Sequence, residues 1–94
     1  YYRVFSNDKK KNKIIIDYYI SGKKAKESYV IKGKKEGKFV EFYVTGEVKT
    51  IGGFENGFKE GMWKTYYNNG KMKEKGKYSR GEKTGVWKLF YKNN

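Results

Sequence analysis

The chain has no cysteine, no histidine and no proline, and its 94 residues include a single leucine, Leu89. Without cysteine, neither a disulfide framework nor thiolate chemistry is available. Without histidine or cysteine, the commonest catalytic bases and nucleophiles and the usual zinc ligands are missing. No apolar run approaches the roughly 20 residues of a membrane-spanning helix. These absences predict a protein that is not an enzyme and that has no catalytic residue, no metal site and no cofactor.

Two carboxylates, Glu36 and Glu60, stand at equivalent positions of a repeat, where turns are expected. A catalytic pair needs an asymmetric pocket, whereas repeated carboxylates in turns are typical of solvated positions. The glycines fall at hairpin spacings with no helix after them, which argues against a phosphate-binding loop. The carboxylates and glycines therefore give no support to an enzymatic function.

What the sequence does contain is aromatic residues and positive charge. Aromatic residues make up 19% of the chain, and the other apolar residues are mainly isoleucine and valine, which favour β-strands. The net charge is +13, with 21 lysines against only two arginines. Such a charge predicts attraction to acidic proteins, anionic lipid or nucleic acid. The shortage of arginine argues against specific nucleic-acid recognition, because arginine is the usual bidentate reader of guanine.

The strongest signal is an internal repeat of 24 residues. Glycines recur at this period in three series, and aromatic residues follow the same shift: Gly22, Gly46 and Gly70; Gly33, Gly57 and Gly81; Gly37, Gly61 and Gly85; Tyr18, Phe42, Tyr66 and Phe90; Tyr19, Tyr43, Tyr67 and Tyr91; Ile15, Phe39, Trp63 and Trp87. Self-similarity at a fixed period indicates a repeat architecture. We expect a single repeat domain over 1–94, with a partial or degenerate strand at 1–13, repeats at 14–35, 36–59 and 60–83, and a half repeat at 84–94.

The turn chemistry within each unit predicts hairpins. Gly46 and Gly70 stand where a hairpin turn requires positive φ. If Asn69-Gly70 is a two-residue turn, Tyr67 faces Met72 and Trp63 faces Gly76; the preceding unit pairs Phe39 with Gly52. A large ring opposite each glycine covers bare backbone, so Trp63 is expected to lie over Gly76. The predicted structural positions are Phe39, Trp63, Trp87, Gly52, Gly76, Gly46 and Gly70.

These units predict an all-β fold, an elongated, single-layer, twisted antiparallel meander of about eight strands built from 24-residue hairpin repeats. Its last strand, at 85–92, is expected to leave an open edge. One face, called here the aromatic face, is predicted to carry Trp63, Tyr78 and their equivalents, together with Val48 and Met72. The opposite face is rich in lysine and is called here the lysine face.

The stretch EGMWKTYYNNGKMKEKGKYSRGEKTGVWKLFYKNN, residues 60–94, resembles the bacterial MORN repeat variant. The unit of that variant runs G-x-W-x-x-Y-Y-x-x-G-x-x-x-x-x-G-x-Y-x-x-G. The resemblance extends over residues 14–94, with departures in the first unit, where Lys13 replaces a glycine and Ile15 replaces the tryptophan. This repeat is that of the YwqK-like family, often labelled an antitoxin family. The resemblance implies a partner-neutralising or immunity-type role.

Taken together, these patterns predict a non-catalytic protein-interaction module, an antitoxin, immunity-type or scaffold protein that binds an acidic protein partner. The predicted contact residues are Lys64, Tyr66, Lys73, Lys75, Lys88 and Phe90. Binding to an anionic phospholipid surface through the lysine face is the first alternative, and weak, non-specific nucleic-acid binding is the second. Assembly with further copies of the chain is also open. Because the chain looks like a trimmed or mature fragment, we expect a bacterial protein of the cell envelope or a secreted one rather than a cytoplasmic one.

Overall fold

The computed structural model describes residues 1–7 and 13–91, and this part of the chain forms nine β-strands and no helix, hence no helix that could cross a membrane. The strands are β1 (Tyr2–Asn7), β2 (Lys13–Tyr18), β3 (Lys24–Ile31), β4 (Lys34–Lys35), β5 (Gly37–Phe42), β6 (Val48–Glu55), β7 (Phe58–Tyr66), β8 (Met72–Ser79) and β9 (Glu82–Leu89). They form one open antiparallel sheet in the order β1-β2-β3-β5-β6-β7-β8-β9, with β4 paired to β3. The predicted all-β meander is confirmed. The predicted segments 1–13 and 84–94 fall partly outside the described residues.

The sheet is a single layer. The molecule measures 46 × 34 × 13 Å along its principal axes, and a second packed sheet would add about 10 Å to the shortest of these. Only four apolar residues of the described part are buried, namely Ala25, Phe39, Val40 and Trp63. The fold is therefore stabilised by contacts between neighbouring strands and not by a deep core.

The extra strand relative to the eight expected arises from a glycine bulge. Gly37 has φ +75°, and the irregularity there separates β4 from β5. The equivalent glycines Gly61 and Gly85 have φ +77° and +67°, but β7 and β9 continue through them. β4 and β5 together thus correspond to one bulged strand of the later units. The edge strand β9 occupies Glu82–Leu89, three residues earlier than the predicted 85–92.

The two ends of each unit carry different turns, and the predicted turn at Asn69-Gly70 is wrong. The Tyr67 amide donates to the Lys71 carbonyl at 2.8 Å, and the Gly70 amide donates to the Tyr67 carbonyl at 3.0 Å. These bonds enclose a three-residue loop that ends on a glycine with φ +86°, the arrangement of a hairpin with a glycine bulge. The same pattern recurs at Tyr19 and Tyr43.

The two-residue turns lie at the other end of the units. Each pairs a non-glycine residue at φ +50 to +52° with a glycine at φ +82 to +87°, as a type I′ turn requires; they are Lys32-Gly33, Asn56-Gly57 and Arg80-Gly81. These turns close tightly because the strand pairs Ile31–Lys34, Glu55–Phe58 and Ser79–Glu82 flank them directly.

The central register is as predicted, with Trp63 opposite Gly76 and Phe39 opposite Gly52. Near the three-residue loop the register shifts by one, so Met72 pairs with Tyr66 and not with Tyr67. Val48 pairs with Phe42 after the same kind of shift. Since directly paired residues share a face, Met72 and Val48 lie on the lysine face, and their predicted place on the aromatic face is wrong.

Candidate interaction surfaces

Phe39, Phe54, Trp63, Tyr78 and Trp87 form a continuous ladder of rings on the aromatic face. Successive ring centroids are 5.0–5.9 Å apart, mostly in edge-to-face geometry. Such pairs each contribute about 0.5–1.5 kcal/mol beyond the area that they bury. The ladder links four consecutive strands, from β5 through β6 and β7 to β8, with Trp87 added on β9.

Trp63 covers a glycine, but not the glycine that its pairing predicts. A Cβ added to Gly52 would lie 2.1 Å from the Trp63 ring, and one added to Gly76 would lie 2.1 Å from the Trp87 ring. Each indole therefore rests on the glycine of the strand before it, and the predicted position of Trp63 over Gly76 is wrong. The Trp63 Nε1 donates to the Gly53 carbonyl at 3.0 Å, which holds the ring in this direction.

Lysines cover the aromatic ladder at the 24-residue period. The Lys35 ammonium lies 5.1 Å from the Phe54 ring centroid, that of Lys59 4.8 Å from Trp63, and that of Lys83 4.5 Å from Trp87. Cation–π contacts of this kind contribute about 0.5–1 kcal/mol where they are exposed. Sequence reasoning missed this series, although the shift by 24 that aligned the glycines also aligns these lysines.

A second series of contacts joins each unit to the next. The hydroxyl groups of Tyr19, Tyr43 and Tyr67 donate to the backbone carbonyls of Phe42, Tyr66 and Phe90 at 2.6–2.7 Å. Each tyrosine begins a three-residue loop, so the bond fixes that loop against the equivalent strand end one unit later. These contacts give a structural reason for the tyrosine series found in the sequence.

In the C-terminal half of the lysine face, lysines lie opposite other lysines and not over aromatic rings. Lys64 pairs with Lys75, and Lys75 pairs with Lys88, so three lysines stand directly opposite one another on β7, β8 and β9. Neighbouring strands lie about 4.8 Å apart, and like charges directly opposite each other are destabilising. We call Lys64, Lys75 and Lys88 the lysine row.

Among the described residues, no carboxylate neutralises the lysine row. Within the described residues, none of its three ammonium groups forms an ion pair within 4.0 Å. The positions two residues away from each lysine along the chain are Met62, Tyr66, Lys73, Lys77, Val86 and Phe90. None of these is acidic, so the charge of the row is left to solvent or to a partner.

Toward the N-terminus the same row across the sheet becomes apolar. Ile51 pairs with Lys64, Val40 pairs with Ile51, and Glu27 pairs with Val40. The Tyr29 hydroxyl and then the Lys24 ammonium hold the pKa of Glu27 below its usual value, through bonds of 2.7 and 3.1 Å. Glu27, the carboxylate in this line of paired residues, thus already has its partners within its own unit.

At the N-terminal edge of the sheet, an ion pair links the first two strands. Arg3 on β1 binds Asp17 on β2 in a bidentate pair, with Nη2 donating to Oδ2 at 3.0 Å. The hydrogen bond from Arg3 is the main reason why the pKa of Asp17 is lowered, and Lys26 approaches the same carboxylate at 3.8 Å. This arrangement ties the first strand to the sheet.

The remaining predicted contact residues lie nearer the three-residue loops. Tyr66 lines a shallow groove with Val48 and Ile51. Phe90, which is 40% exposed, donates its amide to the Lys73 carbonyl at 2.8 Å, while the Lys73 ammonium lies 5.8 Å from the Tyr67 ring. The structure thus brings Lys64, Lys75 and Lys88 together and places Tyr66, Lys73 and Phe90 beside them, toward one end of the strands.

A groove of about 360 Å³ opens on the lysine face between β7 and β9. It is lined by Met62, Lys75, Gly76, Lys77, Thr84, Gly85, Val86 and Lys88. Met62 is 45% exposed and Val86 is 82% exposed, so apolar surface is open to solvent among the lysines. Sequence reasoning named the lysines at this place but not the groove, because the groove depends on the bulge at Gly85.

Glu36 and Glu60 were expected to be solvated turn residues, but Glu60 lies within β7, and both carboxylates bind the two-residue turn at the far end of their own unit. The Glu36 carboxylate accepts from the Asn56 amide at 2.7 Å, and that of Glu60 accepts from the Arg80 amide at 3.2 Å. Both amides belong to residues with positive φ. Within residues 1–7 and 13–91, no group of three or more potential ligands could hold a metal ion.

The chain matches no protein-family model, no curated protein and no solved structure.

Proposed function

We propose that this protein is a non-catalytic interaction module whose lysine face binds an acidic protein partner. The observation that carries the proposal is the lysine row, in which Lys64, Lys75 and Lys88 oppose one another on three adjacent strands and form no ion pair with any carboxylate of the described residues. Directly opposed like charges disfavour folding, whereas Lys35, Lys59 and Lys83 of the aromatic face each lie over a ring. Residues that work against stability are a common feature of binding surfaces.

A protein partner fits this surface better than a uniform polyanion does. The lysine row continues into Ile51 and Val40, and Met62, Tyr66 and Val86 lie among its charges. A phospholipid surface or a nucleic-acid backbone would match the ammonium groups alone. A protein segment can also cover the aromatic and aliphatic side chains, and such residues are typical anchors of protein interfaces.

The resemblance to MORN repeat variant proteins supports a narrower form of the proposal. In that form the partner is a toxin that the module neutralises, or a component of an envelope or secreted assembly that it scaffolds. The net charge of +13 supports an acidic partner in both cases, since complementary charge speeds association and rejects basic competitors.

The test is affinity capture from the native cell with three immobilised proteins. They are the wild type, a variant with the lysine row changed to glutamine, and a control with Lys13, Lys32 and Lys34 changed to glutamine. The three control lysines are exposed, lie outside the row and make the same change in net charge. Captured proteins are then purified and their affinities for all three are measured at about 0.15 M and 0.5 M salt.

We expect one acidic protein that rebinds in purified form to the wild type and the control but not to the row variant. Vesicles containing phosphatidylserine and a single-stranded oligonucleotide are assayed in parallel. Binding only to the vesicles or the oligonucleotide, lost at the higher salt, would contradict the proposal and point to a general polyanion surface.

A further inference from the structure

We propose that the groove between Met62 and Val86 binds an apolar side chain of the acidic partner, with partner carboxylates on either side paired to Lys75, Lys77 and Lys88. This inference rests on the proposed function and specifies the chemistry of the partner. The recognised element is a short segment in which a large apolar residue stands between acidic residues.

The groove is a product of the glycine bulge in β9. Gly85 has φ +67°, and the register between β8 and β9 shifts between Lys75 and Lys77, so Gly76 has no direct partner on β9. A Cβ at Gly76 would meet the Trp87 ring on the aromatic face, so on the lysine face this glycine contributes only backbone to the groove. The resulting depression of about 360 Å³ lies near the lower end of the size range of sites that bind small ligands.

The walls of the groove combine two chemistries. Met62 and Val86 offer apolar surface, and the row lysines Lys75 and Lys88 with Lys77 place ammonium groups around it. A purely charged ligand would leave Met62 and Val86 in water, and a purely apolar one would bury lysines without partners, which is costly. An apolar residue flanked by carboxylates satisfies both parts of the groove.

The earlier units provide an internal comparison, because they have the same bulge but different charges. Thr84 lines the groove, and the residue 24 positions earlier is Glu60, with Glu36 a further 24 positions before it. Similarly, Lys77 corresponds to Gly53, and Lys75 corresponds to Ile51. Of these three equivalent places, only the one at β9 has three lysines and no carboxylate. The unit at the C-terminal side of the sheet is therefore the one suited to an acidic segment.

The test uses the full chain and two synthetic ten-residue probe peptides of equal charge. One contains aspartate and serine only, and the other has a central leucine in place of one serine. Affinities are measured by fluorescence anisotropy at about 0.15 M salt. We expect the leucine peptide to bind at least about tenfold more tightly, because the groove removes one aliphatic side chain from water.

Two variants locate the effect. Thr84→Glu restores the residue found in the earlier units and is expected to bind both peptides about tenfold or more weakly than Thr84→Gln, which introduces a side chain of the same size without the charge. Val86→Ser is expected to abolish the preference for leucine, so that the two peptides bind this variant with equal affinity. Both positions are exposed, and thermal unfolding checks that the variants remain folded.

Equal affinities for the two peptides in the wild type would overturn the inference, as would an unchanged preference for leucine in Val86→Ser. In either case, binding of both peptides that is lost when the lysine row is changed to glutamine would leave the proposed function standing. Absence of binding by either peptide, together with capture of no acidic protein from the cell, would count against both.

Discussion

The two faces of this sheet use the same residue type in opposite ways. On the aromatic face, Lys35, Lys59 and Lys83 recur every 24 residues, and their ammonium groups lie 4.5–5.1 Å from ring centroids. On the lysine face, the members of the lysine row pair with one another across β7, β8 and β9, and on its other side Lys64 pairs with Ile51. Contacts with aromatic rings are stabilising, so we expect the first set to support the fold and the directly opposed charges of the second set to oppose it. The comparison shows that the lysines of this chain fall into two groups, those over aromatic rings and those opposite other lysines. The composition does not distinguish the two groups, whereas the strand register does.

Among the substitutions that test this comparison, Trp63→Ala is expected to lower the free energy of unfolding most. Trp63 is 5% exposed, stacks on Phe39 and covers Gly52, so its removal should destabilise the protein by about 3–5 kcal/mol. Trp87→Ala should cost less, because Trp87 lies on the edge strand and is only half-buried. Urea unfolding of both variants measures the difference. A cost for Trp87→Ala equal to that for Trp63→Ala would contradict the structural role given to the central rings.

The next effect concerns the tyrosines that join successive units. Tyr43→Phe removes a hydroxyl that donates to the Tyr66 carbonyl at 2.6 Å, and we expect a loss of about 1 kcal/mol in the free energy of unfolding. Tyr66→Phe is the matched control, because the Tyr66 hydroxyl makes no hydrogen bond within the described part of the chain. Similar small losses in the two variants would show that the bond between units contributes little.

A smaller change in stability is expected to distinguish the lysines over aromatic rings from those of the lysine row. Lys59→Gln removes an ammonium that lies 4.8 Å from the Trp63 ring and 5.0 Å from the Tyr78 ring, and should cost about 0.5–1 kcal/mol. Lys64→Gln, one charge removed from the lysine row, should cost nothing or stabilise slightly. Thermal unfolding of the two variants in one buffer makes the comparison. If Lys64→Gln were the more destabilising, the division between the faces would be wrong.

The fold was predictable because the repeat supplies many independent copies of one signal. Alternating apolar residues and glycines at a common period define a meander, and the pairs Trp63–Gly76 and Phe39–Gly52 follow from it. The turn type was not predictable from Asn68-Asn69-Gly70. A glycine with positive φ ends a three-residue loop as readily as it forms a two-residue turn. That single error moved Met72 to the wrong face.

The candidate site was predictable only in part. The strand alternation correctly brings Lys64, Lys75 and Lys88 together. It does not show which of two flanking glycines an indole covers. Gly52 and Gly76 lie on either side of Trp63, and the rotamer of the Trp63 side chain determines which of them the ring covers. The groove beside Val86 depends on a register shift at Gly85, and the alternation of side chains along the strands does not predict that shift. The position of the indole and the groove thus depend on side-chain packing and on backbone irregularity, which the sequence period does not reveal.

The central claim is that the lysine row serves binding at the expense of stability. Its most direct test is urea unfolding of the wild type, of the variant with Lys64, Lys75 and Lys88 changed to glutamine, and of the control with Lys13, Lys32 and Lys34 changed to glutamine. We predict that the row variant is the most stable, by about 0.5–2 kcal/mol over the wild type, and that its advantage shrinks between about 0.05 M and 0.5 M salt as the repulsion is screened. A row variant less stable than both other proteins would show that these lysines support the fold, and would contradict the account.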